Sequence, residues 1–412
     1  MTQPVPDPPS SPLDERVEEM LGAIHARGTH RQMRVLEGAQ APRMRVEGRE
    51  VLLFAGSNYL DLAHHPEVVE ASSRAARDWG CAAGGSRLIN GNLALHEDLE
   101  RELAAFLGTE SALAFTTGYT ANLGVIPALV GAGDAVVSDA LSHASVVDGC
   151  RLSKAALHVF PHGDLDALDR LLGQATDAAR RVLVVVDGVY SMDGDTAPLA
   201  ELVPLARRWG AMILVDDAHG TGTLGAHGRG TAELAGIQSE VDVLVGTLGK
   251  SLGSFGAFAA GSERLRELLV NVARSFIFTC ALAPPQVAAA HAALQVMQAE
   301  PWRRERLHAN AVRLRDRLGG HGISTAPSTT QIVPVVIGEN DRTMQVCEGL
   351  LARGFYAQGI RHPSVPAGTA RLRITPMATH AIEEIDALAD AIAMELGGST
   401  TTGPERTTAA QR

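Results

Sequence analysis

Lysine is the scarcest charged residue in this 412-residue sequence. Lysine and arginine together number 36, yet only Lys154 and Lys250 are lysines and the other 34 are arginines. Chemistry that needs a side-chain amine therefore has two candidates. The four cysteines (Cys81, Cys150, Cys280, Cys347) are far apart and form no C-x-x-C pair. That spacing suggests neither a disulfide framework nor a thiolate metal site. No apolar run approaches the ~20 residues that span a bilayer. The opening MTQPVPDPPSSP has no basic region and no apolar region, so it does not read as a signal peptide, and a cytoplasmic location is expected. Net charge is −11 and no lysine/arginine block stands out, so neither a nucleic-acid groove nor a membrane surface is an expected partner.

Hydrophobic residues make up 45% and charged residues 20%, an ordinary globular balance. At ~150 residues per domain, two to three domains are expected. Residues 1–13 and 397–412 are rich in Pro, Ser, Thr or Gly and read as disordered ends. Residues 14–56 read as an N-terminal arm of one helix and a short strand pair. From 57 to 286, short apolar runs alternate with helical patterns. Strand candidates are 111–115, 134–138, 157–160, 182–187, 212–216 and 241–246. Several are unbroken β-branched runs, as in strands covered on both faces of a parallel sheet. The fold class expected is α/β with a mostly parallel sheet in a large domain. From 287 to 396 the texture changes to a smaller α+β domain. It opens with a long Ala/Arg-rich helical stretch from Gln286 to about Leu318. A strand follows near 331–338, then a helix near 341–353, a strand at 371–375 and a last helix near 381–396.

Five polar clusters follow strand ends, where open α/β sheets bind ligands. Thr116-Thr117-Gly118-Tyr119 would open a helix whose free N–H groups suit a phosphate; an ordinary strand–helix turn explains it equally well. Pro127 should kink that helix or end it early. His143, after strand 134–138, could stack on a planar group or simply cap a helix. The Asp187–Asp195 loop holds Ser191, and a tight turn accounts for its glycines. Asp216 ends a buried strand, where a carboxylate is costly unless it meets a positive group. With His219 three residues on, metal binding is a rival reading. Lys250 sits in the Gly-rich loop GTLGKSLG after an apolar strand. Its glycines are misplaced for a P-loop, but apolar surroundings lower a lysine's pKa and suit it to Schiff-base chemistry. Lys154 has no such setting and reads as a surface residue. Taken in order, a phosphate loop, a stacking histidine, a strand-end aspartate and a lysine are what pyridoxal phosphate requires.

The motifs NYLDLAHHPEV, GGSRLINGN, LSHAS, YSMDGD, VDDAHGTG, GTLGKSLGSFGAF and VPAGTARLRIT, in that order from about Arg27 to Leu396, resemble the α-oxoamine synthase family of fold-type I pyridoxal-phosphate enzymes. The resemblance implies that Lys250 bonds the cofactor aldehyde and serves as acid and base at Cα. It further implies that Asp216 holds the ring nitrogen protonated, that His219 and Ser191 reach the ring oxygen, and that His143 stacks on the ring. Gly118, Tyr119 and Thr247 would hold the phosphate or the cofactor edge. Arg373 would grip the amino-acid carboxylate, and as i and i+2 on a strand Arg371 and Arg373 share a face. Arg31, Arg361 and Ser364 match positions linked to the acyl substrate. The implied substrates are a small amino acid and an acyl-CoA or acyl carrier protein. GIRHPSVPAGTARLRIT is most similar to the biotin-pathway branch, which joins L-alanine to a pimeloyl thioester. Relatives using glycine or serine with other acyl groups are the alternative, and an aminotransferase or a non-catalytic partner subunit are further ones. A homodimer with shared sites is implied, with no metal. Four positions depart from the family pattern. Asp61 replaces a Gly. The asparagine that contacts the substrate carboxylate falls on Asn58 or its neighbour Ser57. Cys280 stands where a Thr of the neighbouring subunit reaches the phosphate, a role Thr279 would take. His362 replaces a Pro.

Overall fold

The computed structural model describes residues 11–397. Residues 1–10 and 398–412, expected to be disordered, lie outside the described residues. The arm comprises α1 (Pro12–Ala26), β1 (Leu36–Glu37), β2 (Arg43–Val46) and β3 (Arg49–Leu53). Helix α1 starts two residues before the expected arm, because Ser11 accepts a bond from Asp14 N–H at 3.2 Å and its own N–H is accepted by the Asp14 carboxylate at 3.1 Å. Pro12 fits the first helical position, where no N–H is needed. Next come α2 (Pro66–Trp79), a π-helical turn (Arg87–Gly91) and α3 (Ala94–Leu107).

Strands and helices then alternate: β4 (Ser111–Phe115), α4 (Gly118–Leu129), β5 (Ala135–Asp139), α5 (Ala144–Ser153), β6 (Ala156–Phe160), α6 (Leu165–Ala178), β7 (Val182–Asp187), α7 (Leu199–Arg208), β8 (Met212–Asp216), α8 (Thr231–Leu234), β9 (Val243–Thr247) and β10 (Ala257–Gly261). The sheet order is β4-β10-β9-β8-β7-β5-β6. Strand β10 runs antiparallel to β4 and β9, and every other pairing is parallel. The sheet is thus mostly parallel, as expected. Residues of one run supply both faces: Val182, Val184 and Val186 join one apolar cluster, and Leu183 and Val185 join the other. Strand β10 was not anticipated, since AFAAG offers small residues within a glycine-rich stretch.

The remainder comprises α9 (Glu263–Val272), α10 (Arg274–Ile277), α11 (Pro284–Ala299), α12 (Trp302–Gly320), β11 (Val333–Gly338), α13 (Asn340–Ala352), β12 (Phe355–Tyr356), β13 (Gln358–Ile360), β14 (Ala370–Ile374) and α14 (Ile382–Glu395). The long helix expected from Gln286 to Leu318 is two helices. The break falls at Glu300-Pro301, where the proline cannot continue the helical hydrogen bonding of α11. Val287, Ala290, Leu294 and Met297 of α11 pack into the core of the large sheet. Leu314, Val335, Leu372, Ile374, Ile385 and Ile392 build the smaller core with Phe54. The small sheet is β11-β14-β13, and β12 adds in parallel to β3 of the arm.

The loop after β8 is clamped by Asp217. Its carboxylate accepts Thr231 N–H at 2.9 Å and the Thr231 hydroxyl at 2.8 Å. Burial pushes this carboxyl up to about 7 against the opposing pull of those two bonds. Gly230, at φ +110°, would place a Cβ 1.6 Å from Asp217 Oδ2. Gly236, at φ +72°, has open space where its Cβ would stand. Gly236→Ala should cost about 1 kcal/mol, the left-handed backbone penalty alone. Gly230→Ala should cost at least about 3 kcal/mol, because the buried clamp must break as well. Chemical unfolding of both variants checks the difference.

Candidate active site

The C-terminal ends of β4, β5, β7, β8 and β9 open onto one cavity of about 230 Å³. Gly118 and Tyr119 come to it from the start of α4, and His143 from the start of α5. Asp187 and Ser191 follow β7, Asp216 and His219 follow β8, and Thr247 and Lys250 follow β9. Strand alternation explains why the carboxylates meet: Asp187 and Asp216 are register partners on neighbouring strands.

Lys250 Nζ lies 2.9 Å from His219 Nε2, and His219 Nδ1 lies 2.7 Å from the Tyr59 hydroxyl. Arg373 donates to that hydroxyl at 3.2 Å and, through Nε, to the Ser191 carbonyl at 2.5 Å. Asp216 accepts from Asn122 Nδ2 at 2.6 Å and from Ala218 N–H at 3.1 Å, both neutral donors. Burial brings the Lys250 amine down to about 8, with Asp216 opposing and Arg373 adding to the fall. Burial, then Lys250 and Arg373, hold His219 well below the usual histidine range, so it is neutral. Burial and the neighbouring Asp216 push Asp187 well above the usual carboxylate range.

These residues fit pyridoxal phosphate. A primary amine that sheds its proton near neutrality faces the same cavity as a buried carboxylate whose hydrogen-bond partners are uncharged, which a protonated ring nitrogen would complement. At the start of α4, the Thr117 hydroxyl accepts Thr120 N–H at 3.1 Å. Among the described residues, Gly118 and Tyr119 N–H have no partner, which leaves two amides and the helix dipole for a phosphate. Pro127 lies inside that helix, which continues two residues past it and does not stop at the proline.

Not every expected residue reaches the cavity. Asn58 does not: its carbonyl accepts Leu62 N–H at 3.0 Å and Ala63 N–H at 3.2 Å, and its amide donates to the Gln40 carbonyl at 3.1 Å. Its polar atoms hold a turn. Asp61, with φ +57°, occupies the left-handed position that favours glycine, and accepts from Thr379 at 2.6 Å. Thr279 and Cys280 line a separate narrow cleft with Arg87 and Phe276 and do not meet the cavity within one chain. Arg31, Arg361 and Ser364 assemble elsewhere. Arg31 Nη2 stands 3.5 Å from Ser364 Oγ, and Arg361 donates to the carbonyls of Gly28 and His30 at 3.3 and 3.1 Å. Ser364 and His362 border a second cavity of about 370 Å³ that shares Ser191 with the first. Arg371 shares the face of Arg373 and pairs with Asp193 on the same loop. Lys154 is exposed at the end of α5. Tyr59, Asn122 and Ser145 are part of the site and were missed as such. Tyr59 stands in NYLDL and Ser145 in LSHAS, but neither spacing nor polarity distinguishes them. Among the described residues, no three His, Cys, Asp or Glu side chains form a metal-binding group.

Fold and site together define a fold-type I pyridoxal-phosphate enzyme. The sequence model of the aminotransferase class I and II family matches residues 49–392. The 8-amino-7-oxononanoate synthase of Geobacter metallireducens is 52% identical over 375 residues, 90% of this chain and 96% of that protein. That of Alkalilimnicola ehrlichii is 47% identical over 387 residues, 93% of this chain and 98% of its own length. The solved serine palmitoyltransferase of Sphingomonas wittichii superposes with a TM-score of 0.87 at 36% identity, covering 93% of this chain and 97% of that one. The chain belongs to the α-oxoamine synthases, within the aminotransferase class I and II family.

Only a neutral amine attacks an aldehyde. Cofactor-free protein should therefore capture pyridoxal phosphate faster as pH rises through about 8, the value set for Lys250, and level off above it. Stopped-flow absorbance reads this rate. Lys154→Arg should leave the profile unchanged and Lys250→Arg should abolish covalent capture. A profile with no inflection near 8 would contradict the site's electrostatics.

Proposed function

We propose that the protein condenses L-alanine with a pimeloyl thioester, pimeloyl-CoA or pimeloyl carrier protein, releasing the thiol and CO2 and forming 8-amino-7-oxononanoate for biotin synthesis. The observation that carries the chemistry is the buried Lys250 amine beside the Asp216 carboxylate, within one cavity and next to a neutral histidine. The choice of substrates rests on the likeness to the Geobacter enzyme over nearly the whole chain.

Bound pyridoxal phosphate supplies an electron sink for charge that develops at the amino acid's Cα. Lys250, Asp216, His219, Ser191, Thr247 and the amides of Gly118 and Tyr119 would hold it, with His143 against the ring face. Arg373 takes the alanine carboxylate, since Tyr59 and Ser191 pre-orient its guanidinium. Lys250 Nζ removes the Cα proton, for which its lowered pKa suits it. The Cα–acyl carbon bond forms as the thioester C–S bond breaks, and the thiol leaves. The carboxylate is then lost as CO2, and Lys250 returns a proton to Cα. His219 bridges Lys250 to Tyr59 and keeps the amine aligned. Ser364 borders the second cavity, with Arg31 beside it, and these two with Arg361 would meet the acyl chain or its carboxylate.

A glycine- or serine-using member with a longer acyl group is the second reading, favoured by the 0.87 superposition on a serine palmitoyltransferase. A homodimer is part of the proposal, since Thr279 and Cys280 would reach a phosphate only from a second copy. A cytoplasmic location is proposed as well; among the described residues, no helix is long and apolar enough to cross a membrane.

Purified holoenzyme given L-alanine and pimeloyl-CoA should release free thiol and CO2 in equal amounts. Lys250→Ala should abolish the release, and Asp216→Asn should lower turnover by at least about 100-fold. Release only with glycine or serine, or only with other acyl groups, would transfer the function to the second reading. In the first case, Arg373→Lys should raise the KM for the amino acid by about tenfold or more while leaving the thioester KM within about twofold, because the bidentate grip is lost.

A further inference from the structure

Beneath His143, buried side chains form a hydrogen-bond chain with one self-consistent direction. Asn122 Nδ2 donates to Asp216 Oδ2 at 2.6 Å and to Ser145 Oγ at 2.9 Å. Those two bonds use both hydrogens of the amide. Turning the amide over would set its oxygen against the carboxylate, so the charge of Asp216 fixes its orientation. Ser145 Oγ, already accepting from Asn122, keeps its own hydrogen to donate, and it stands 2.7 Å from His143 Nδ1. The Ser145 backbone N–H, a donor that cannot reverse, points at the same nitrogen at 3.3 Å. Nδ1 therefore accepts and carries no proton. Burial lowers the pKa of His143, and Lys250 adds to this against the opposing Asp216, so the ring is neutral and its one N–H is on Nε2. Asn122 and Ser145 are buried almost completely. Asn122 Oδ1 has no hydrogen-bond partner, an arrangement that a side chain present only for packing would not need.

We propose that Asn122 and Ser145 are positioning residues that lock His143 in the Nε2–H tautomer, so that the histidine offers the substrate a hydrogen-bond donor and never an acceptor. The ligand chemistry this selects is an anionic or carbonyl oxygen, such as the carboxylate of the bound amino acid. The inference rests on the reading of His143 as a wall of the cofactor cavity, but not on which amino acid or thioester reacts.

The test is nitrogen-15 NMR of holoenzyme labelled at histidine, with His143→Gln to assign the signals. The expected spectrum shows His143 unprotonated at Nδ1 and protonated at Nε2. Ser145→Ala removes the shorter of the two donors to Nδ1 and should bring in a detectable share of the other tautomer, with only the 3.3 Å backbone bond left to oppose it. It should also weaken amino-acid binding by about tenfold, read from cofactor absorbance with no thioester present. Ser145→Thr, which keeps the hydroxyl, should restore both. A proton on Nδ1 in the unmodified protein overturns the proposal. So does a Ser145→Ala protein with unchanged tautomer and unchanged affinity. A protein with the expected tautomer that releases no thiol from any acyl thioester would refute acyl transfer and leave this inference standing.

Discussion

One buried negative charge governs the site. Asp216 ends a strand covered on both faces and has neutral donors for hydrogen-bond partners. Its field keeps the amine of Lys250 from falling further, and it forces the neighbouring Asp187 toward its neutral form. Two carboxylates in register on adjacent strands cannot both ionise at little cost. The same charge orients the Asn122 amide, and through it the hydroxyl of Ser145. Removing it would unsettle protons on several residues that it does not touch.

The small sheet reaches this centre through one strand. Leu372 of β14 faces the smaller core, while Arg371 and Arg373 on the opposite face hold the 191–193 loop. A second clasp holds that loop from the large sheet. His162 stands between Asp139 and Asp195, 3.0 and 2.7 Å away, and those two carboxylates raise its pKa to about 10. Ser191 is thus fixed from both sides of the molecule, which suits a residue bordering both cavities.

Much of this was legible in the residues. The β-branched run at 182–187 suits a strand covered on both faces, and it forms one. Lys250 and Asp216 stood out because an amine and a carboxylate beside apolar strands demand an explanation. Strand β10 was hidden because AFAAG has neither a β-branched run nor alternation; its place follows from pairing with β4 and β9, a tertiary fact. Pro301 was a visible stop within an otherwise continuous helical pattern. Asn58 misled for a different reason. A polar residue can satisfy itself on a nearby turn as readily as on a substrate, and composition does not separate the two. Tyr59 and Asn122 act through contacts with residues 160 and 94 positions away, distances at which a sequence carries no signal of its own.

The scarcity of lysine reads differently with the site in view. A free aldehyde cofactor condenses with any accessible primary amine. Arginine stays protonated and does not compete for it. In this sequence one lysine lines the cavity at the strand ends, and the other is exposed at the end of α5. The exterior is therefore almost inert to aldehydes. Excess cofactor finds few side chains to decorate, and covalent loading becomes close to a direct count of competent sites.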